Sequence, residues 1–378
     1  MGQITRCTRC IMDDSSDTTI SFDENGYCNY CTEALAQKEN RYFPNEIGKE
    51  KLKNQLAEIK RDGAGKRYDC IMGLSGGLDS SYLAYLGKLW GLRVLAVHID
   101  DGFDSDISKE NLANLIQATG FDYMTITPDA TQFNALTKAY MKAGVPNIAI
   151  PQDNVLFAFL YDCAKKYDIK YFLSGSNFSL ESILQRGNTY TSTDVINIRD
   201  IHRRFGSEPI DKLKFLSTFQ LFLGNKMQDI HTLTPLNYID YNRDRAFQEL
   251  RDFCGFEYYG RKHLENRLTE FIQLYWFYEK FGVDKRTSHL SSMIVSDQMS
   301  RDEALEEFNK PIYDPQNMEE CIDFVKKSLN ISNDEFTAIM KSPPHQHTDY
   351  KTEERSLSLL LLKVLLKVKG GLSRLKNK

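Results

Sequence analysis

Between residues 68 and 103 the spacing of apolar positions changes twice. Tyr68, Cys70, Ile71 and Met72 make a short apolar run, which predicts a buried strand over 68–72, whereas Leu83, Leu86 and Leu89 recur at helical spacing and predict a helix over 79–90. The turn between them holds Gly76 and Gly77, which can take backbone angles closed to other residues. Residues 93–99 read as a second strand, ending at Asp100-Asp101. The rhythm returns with a helix over 154–166 and a strand over 170–173, followed by SGSNFSLES. Strands alternating with helices predict an α/β fold on a parallel sheet. From Ile201 onward the alternation fades into aromatic-rich helical patterns, so a mostly helical region is expected over 201–341.

The length, 378 residues, suits two or three domains of ~150 residues. The expected units are 1–45, 46–200, 201–341 and a tail over 342–378 that reads as mobile near Ser342-Pro343-Pro344. Lys and Arg number 48 against 52 Asp and Glu, a formal net charge of −4, so no global attraction draws a phosphate polymer and no nucleic-acid partner is expected. The opening MGQITRC has no apolar segment of a signal peptide, and no run approaches the ~20 apolar residues of a membrane span, so a cytoplasmic setting is expected. The ending SLSLLLLKVLLKVKGGLSRLKNK reads as a basic amphipathic helix, suited either to peripheral contact with an anionic membrane or to docking on a partner.

Four of the eight cysteines are paired in spacing: Cys7 and Cys10 in CTRC, then seventeen residues, then Cys28 and Cys31 in CNYC. Two such elements suit a structural zinc ion, because four thiolates close a tetrahedron and leave no position for water. Asn25-Gly26 offers a tight turn between the short strands of a ribbon. Cys70, Cys163, Cys254 and Cys321 are isolated and carry no assigned chemistry.

The glycine turn is the centre of the chemistry. A helix beginning just after it turns free amides and a positive dipole end toward the loop, which suits an anion, and the Ser75 and Ser80 hydroxyls add donors. Asp79 would repel bare phosphate; a carboxylate there makes sense with magnesium between it and the phosphates. The string SGGLDS resembles the SGGxDS signature of the PP-loop ATP pyrophosphatases, which cleave ATP to AMP and pyrophosphate. That resemblance implies ATP and magnesium as cofactors, Ser75, Gly76, Gly77, Asp79 and Ser80 at the phosphates, and His98 and Asp100 at the adenine. SGSNFSLES resembles the family's GxN…E element, which implies Asn177 in the nucleotide site and Glu181 as a second magnesium ligand. Read without the loop upstream, the residues favour Asn177 as a helix cap and Glu181 as solvated.

Two polar clusters mark the later half, one at Arg261, Lys262, His263, Glu265 and Arg267 and one at Asp284, Lys285, Arg286, Ser288 and His289. Mixed-charge clusters are commonly solvated faces, but flanking aromatics favour a site; Lys262 and Arg286 are the catalytic candidates beside Asp79, placed to neutralise pyrophosphate or grip an anionic sugar nucleotide. Together, FDENGYCNYC, SGGLDSSYLA, YYGRKHLENRLTEF and FGVDKRTSHLSSMI resemble the WbpG-like N-acetyl sugar amidotransferases of surface-polysaccharide biosynthesis, over nearly the whole chain to about Ile312. The resemblance implies conversion of an acetamido group on a sugar or nucleotide sugar to an acetamidino group. Ammonia would come from partners similar to the glutaminase and cyclase subunits of imidazole glycerol phosphate synthase. It departs from the family at Asp297, where glycine is expected. The rival sharing the loop is a zinc-containing tRNA-thiolating ATP pyrophosphatase; the acidic balance, Leu78 where many of those carry Lys, and the lack of further paired cysteines speak against it.

Overall fold

The computed structural model describes residues 4–15, 17–227, 229–260 and 264–356; Lys262 and the basic ending from 357 onward lie outside the described residues. Five parallel strands form one sheet: β1 (Cys70–Gly73), β2 (Val94–Ile99), β3 (Asp122–Ile126), β4 (Tyr171–Leu173) and β5 (His231–Leu233), in the order β3-β2-β1-β4-β5. Register pairs Cys70 with Val94, Ile71 with Phe172, and Tyr171 with His231. Because β1 and β2 are apolar on both faces, each side of the sheet takes a helical layer. Cys70, Met72, Val94 and Ala96 pack with the helix Leu78–Leu89, while Ile71, Leu95 and Val97 pack with the helix Ile150–Lys166.

The chain winds outward from β1 to β3 and later returns to the other flank of β1 through β4. That reversal opens a crevice outside the carboxyl ends of β1 and β4, where ligands of open α/β sheets gather.

The sheet runs past residue 200, since β5 lies within the region expected to be helical. A three-residue edge strand gives no period to detect. The helix Arg243–Cys254 also packs on Leu78–Leu89, so 201–341 does not fold apart from the sheet. Most of the later helices build a second core around Trp276, Tyr140 and Phe271. Residues 342–356, expected as a loose start of the tail, are instead packed down. Lys280 donates to the Ser342 carbonyl (2.7 Å), the Tyr350 hydroxyl to the Ala143 carbonyl (2.6 Å), and His347 is buried. Among the described residues no helix is long and apolar enough to cross a membrane.

In the N-terminal unit the strands of the expected ribbon are reduced to single antiparallel bridges, Arg6 to Asp13 and Phe22 to Cys28. The unit is bolted to the helix Arg286–Val295: the Ile11 amide donates to Ser291 Oγ (3.2 Å), and Lys38 donates to the Val295 carbonyl (2.9 Å).

Candidate functional site

The loop from Leu74 to Gly77 leaves β1 and enters the helix Leu78–Leu89. Gly76 has φ +76°, and a Cβ there would stand 2.5 Å from the Ser108 carbonyl oxygen, so the turn needs glycine on two counts. Gly77 caps the helix without a side chain; its amide donates to Ser75 Oγ (3.2 Å) and the Leu78 amide to the Tyr259 hydroxyl (2.9 Å). Gly175 presses on the same turn, its Cβ direction 3.0 Å from the Asp79 carbonyl carbon and the Ser80 nitrogen. The second motif is thereby brought against the first. The fully buried Tyr241 donates its hydroxyl to Asp79 Oδ1; burial, then the Asp79 charge, pushes that phenol well above its ordinary range. Ser176 donates to Glu181 Oε2 (2.5 Å), holding a second carboxylate beside Gly175. Asn177 is buried as the cap of the short helix Phe178–Glu181, accepting from the Leu180 amide (3.0 Å) and donating to the Gly175 carbonyl (3.2 Å).

At the end of β2, His98 is buried between two acceptors, the Leu74 carbonyl at 2.8 Å from Nδ1 and Asp104 Oδ2 at 2.9 Å from Nε2. Burial lowers its affinity for a proton, but the Asp104 carboxylate and the Leu74 carbonyl outweigh this and raise its pKa. Protonated on both nitrogens, the ring donates to each acceptor and ties the glycine loop to β2. Asp100 accepts a local bond from the Gly102 amide (3.1 Å). Asp101 is buried and accepts from the Phe103 amide (3.0 Å), Gln152 (2.5 Å) and Asn266 (3.1 Å). Burial and then the neighbouring Asp104 push its pKa up to about 6.

Two cavities meet here. The first, about 540 Å³, opens under Leu74 and Ser75 and is lined by His98, Asp101, Asp153 and Gly175, with Glu265, Gln273, Phe277 and Lys285 closing it from the later half. The second, about 370 Å³, is lined by Glu181, Arg243, Asp284, Arg286 and His289 among others. Arg286 grips Asp284 through Nε (3.1 Å) and Nη2 (2.7 Å), and through Nη1 donates to the Lys310 carbonyl (2.8 Å), so its guanidinium holds the cavity wall together. Its neighbour Lys285 reaches both cavities, with Nζ 5.0 Å from the Phe277 ring centre. Burial, partly opposed by Asp17, pushes the Lys285 ammonium down to about 8, and burial pushes Asp153 up to about 7.

The structure thus brings Ser75, Gly76, Gly77, Asp79 and Ser80 together with Gly175, Asn177 and Glu181, and sets His98 at the floor. Three residues beyond the candidates assigned a role join them. Glu265 accepts from Ser75 Oγ (3.4 Å) and lies 2.6 Å from the Cβ direction of Gly77; Tyr241 holds Asp79; Lys285 spans the cavities. Glu265 and Lys285 stood inside the two charged clusters, where composition alone cannot rank one charge above another.

Cys7, Cys10, Cys28 and Cys31 are fully buried, with all four sulfurs within 4.8 Å of one another and none in a disulfide. Sγ separations of 3.7 Å (Cys7 to Cys31) and 3.6 Å (Cys10 to Cys28) match the ~3.8 Å edge of a tetrahedron of sulfurs 2.3 Å from zinc. Amides of Arg9 (3.4 Å), Cys10 (3.4 Å) and Cys28 (3.2 Å) donate to Cys7 Sγ, which favours thiolate. The donor set fits a structural zinc ion. Arg301 braces it, donating to the carbonyls of Cys10 and Cys7 (3.1 Å each).

Fold and site define an α/β protein with a glycine loop leading into a helix at the carboxyl end of a central strand, closed over by a helical later half and braced by a four-cysteine knuckle. Residues 265–365 match the family described as LPS biosynthesis protein WbpG-like, C-terminal domain, and the residues from Glu265 to Lys285 that close the first cavity lie within the matched segment. No curated protein matches the chain. Similar solved structures include the NH3-dependent NAD synthetase of Campylobacter jejuni subsp. jejuni NCTC 11168 in complex with the nitrate ion, at 15% identity, 79% of this chain, 98% of that chain and TM-score 0.30. The NAD+ synthetase of Burkholderia pseudomallei matches at 15% identity, 60% of this chain, 94% of that chain and TM-score 0.30. A predicted subunit of tRNA methyltransferase from Methanocaldococcus jannaschii DSM matches at 17% identity, 58% of this chain, 90% of that chain and TM-score 0.30.

Proposed function

We propose that this protein is an ATP-dependent amidotransferase that converts an acetamido group of a surface-polysaccharide sugar into an acetamidino group through an O-adenylyl intermediate. The observation that carries the reading is the shared cavity: Gly73, Leu74 and Ser75, where the SGGLDS loop begins, line one side, and residues from Glu265 to Lys285, within the segment that matches the WbpG-like family, line the other.

An amide carbonyl is a weak electrophile with a poor leaving group. Its oxygen attacks the α-phosphorus of ATP, the bond from that phosphorus to the β-phosphate oxygen breaks, and pyrophosphate leaves with the electron pair. Ammonia then attacks the imidate carbon, the carbon–oxygen bond breaks, AMP leaves, and loss of a proton gives the amidine. The start of the helix Leu78–Leu89, apart from the Leu78 amide that the Tyr259 hydroxyl takes, and the Ser75 and Ser80 hydroxyls would receive phosphate oxygens. Asp79 and Glu181, hard carboxylate donors oriented by Tyr241 and Ser176, suit magnesium, which when bound would screen the charge of the departing pyrophosphate. Tyr241 fixes the Asp79 carboxylate before substrate arrives, so no reorganisation is needed at that atom.

On this reading ammonia comes from outside the chain. Cys70, Cys163 and Cys321 are buried and Cys254 half-buried, and burial pushes all four thiols up, away from the thiolate that glutamine hydrolysis needs. A separate glutaminase with a cyclase-like subunit, the partners that the family resemblance implies, would raise the local concentration of nucleophile. The test is release of AMP and pyrophosphate from ATP with ammonium across a panel of acetamido sugars. Release that depends on one sugar, with a product in which NH replaces oxygen, supports the reading; release only with tRNA would move the protein to RNA modification.

A further inference from the structure

Leu184, Gln273 and Lys285 line both cavities, and among the described residues Lys285 is the one cation that does. The residues around it are otherwise accounted for. Arg286 is held by Asp284 and by backbone carbonyls, whereas the Lys285 ammonium has no hydrogen-bonded acceptor among the described residues and stands over the face of Phe277. Asp17 acts on it through space from the N-terminal unit, itself engaged by the Tyr30 hydroxyl (2.7 Å) and Thr19 (2.8 Å). A half-buried cation with no bonded acid is costly unless an anion arrives to meet it.

Under the proposed function, with the α-phosphate in the cavity beneath the glycine loop, the acetamido oxygen would reach it through the junction with the other cavity. The geometry points to Lys285 as a catalytic residue: its ammonium contacts the α-phosphoryl oxygens at the junction as the bond to the acetamido oxygen forms and the bond to pyrophosphate breaks. This rests on the amidotransferase reading. Lys285 keeps its proton throughout; the electron pair of the breaking bond leaves with pyrophosphate. A cation in a partly dewatered junction is worth more to the pentavalent phosphorus, where charge is concentrated, than to ATP in the ground state.

The experiment compares wild type, K285M and K285R for sugar-dependent AMP release with ammonium, alongside ATP binding without sugar and thermal melting. Wild type is expected to release AMP. K285M should lose about 100-fold or more in kcat, with ATP affinity changed less than about threefold and melting temperature kept or raised. K285R should recover at least about a tenth of wild-type kcat, because charge rather than chain shape is required. K285M with wild-type kcat, or a loss confined to ATP affinity, overturns the role of Lys285 while leaving the amidotransferase reading standing. If K285M does not fold, an inactive but folded K285R overturns it too. A wild type that releases no AMP with any acetamido sugar removes both.

Discussion

Asp297 is a residue out of place in a physically legible way. Its φ of +61° lies in the left-handed region, where glycine is the residue without penalty, and glycine is what the family resemblance leads one to expect there. Its carboxylate pairs with Lys38 at 2.5 Å, but that pair is exposed and so worth little. Asp297→Ala and Asp297→Gly both remove the ion pair, and only the glycine relieves the backbone. Asp297→Ala should therefore be the less stable of the two by about 1 kcal/mol in urea unfolding; coincident transitions would show that the strained geometry is not kept in solution. His98 supports a second prediction. Its folded pKa is raised above the ordinary value of 6.5, so its stabilising contribution is complete below that value and is lost as pH climbs through the raised one. The difference in melting temperature between wild type and His98→Gln should be widest near pH 6 and narrow toward pH 9. A gap that widens with pH would mean that the ring is neutral and the paired donors assigned here are wrong.

At the scale of elements, the contact between the two motif turns is the most exacting. The Cβ of Gly175→Ala would fall 3.0 Å from backbone atoms of Asp79 and Ser80, and neither the turn nor the helix start can yield as a flexible side chain would. The substitution should cost about 1–3 kcal/mol in stability and displace Asp79 enough to lose most AMP formation; a variant with unchanged melting and turnover would show that the two turns do not touch. This contact joins segments that the sequence does reveal. The strands β1, β2 and β4 and the helix Leu78–Leu89 were readable because continuous apolar runs and helical spacing are the signatures of burial on two faces and on one. The outer strands were not. β3 is a half-exposed edge, DYMTI, with Asp122 tied outward to Arg67 (2.9 Å), and β5 has three residues, so neither carries a period. The site divides the same way: the loop residues lie within six positions of one another, whereas Tyr241, Glu265 and Lys285 reach it only through tertiary packing. The Ser342 to Ser356 segment misled for a related reason, since prolines and polar residues look like a linker until Lys280, Ala143 and Asn197 supply their partners.

For the whole molecule, the four-cysteine knuckle is continuous with the site. Its loops rest on the helix Arg286–Val295 through Ile11 and Ser291, Arg301 reaches back to the carbonyls of Cys7 and Cys10, and Asp17 both binds the Gly187 amide (3.3 Å) and acts on Lys285. The four sulfurs form one buried cluster, and without a metal their thiolates would repel one another or have to protonate. Stripping the metal with a chelator should therefore lower the melting temperature by several degrees, raise hydrogen exchange along residues 286–295, and depress AMP formation, with zinc restoring all three. Cys28→Ser should reproduce the loss without rescue. Arg301→Ala leaves every ligand in place but removes the two donors that orient the Cys7 and Cys10 turns, so it should weaken metal retention about 10- to 100-fold with a smaller fall in melting temperature. The ordering distinguishes a knuckle that braces the site from one that merely folds beside it: metal loss that lowers the melting temperature while exchange at 286–295 and turnover stay at wild-type values would separate the two, and the coupling drawn from the Ile11, Asp17 and Arg301 contacts would fall.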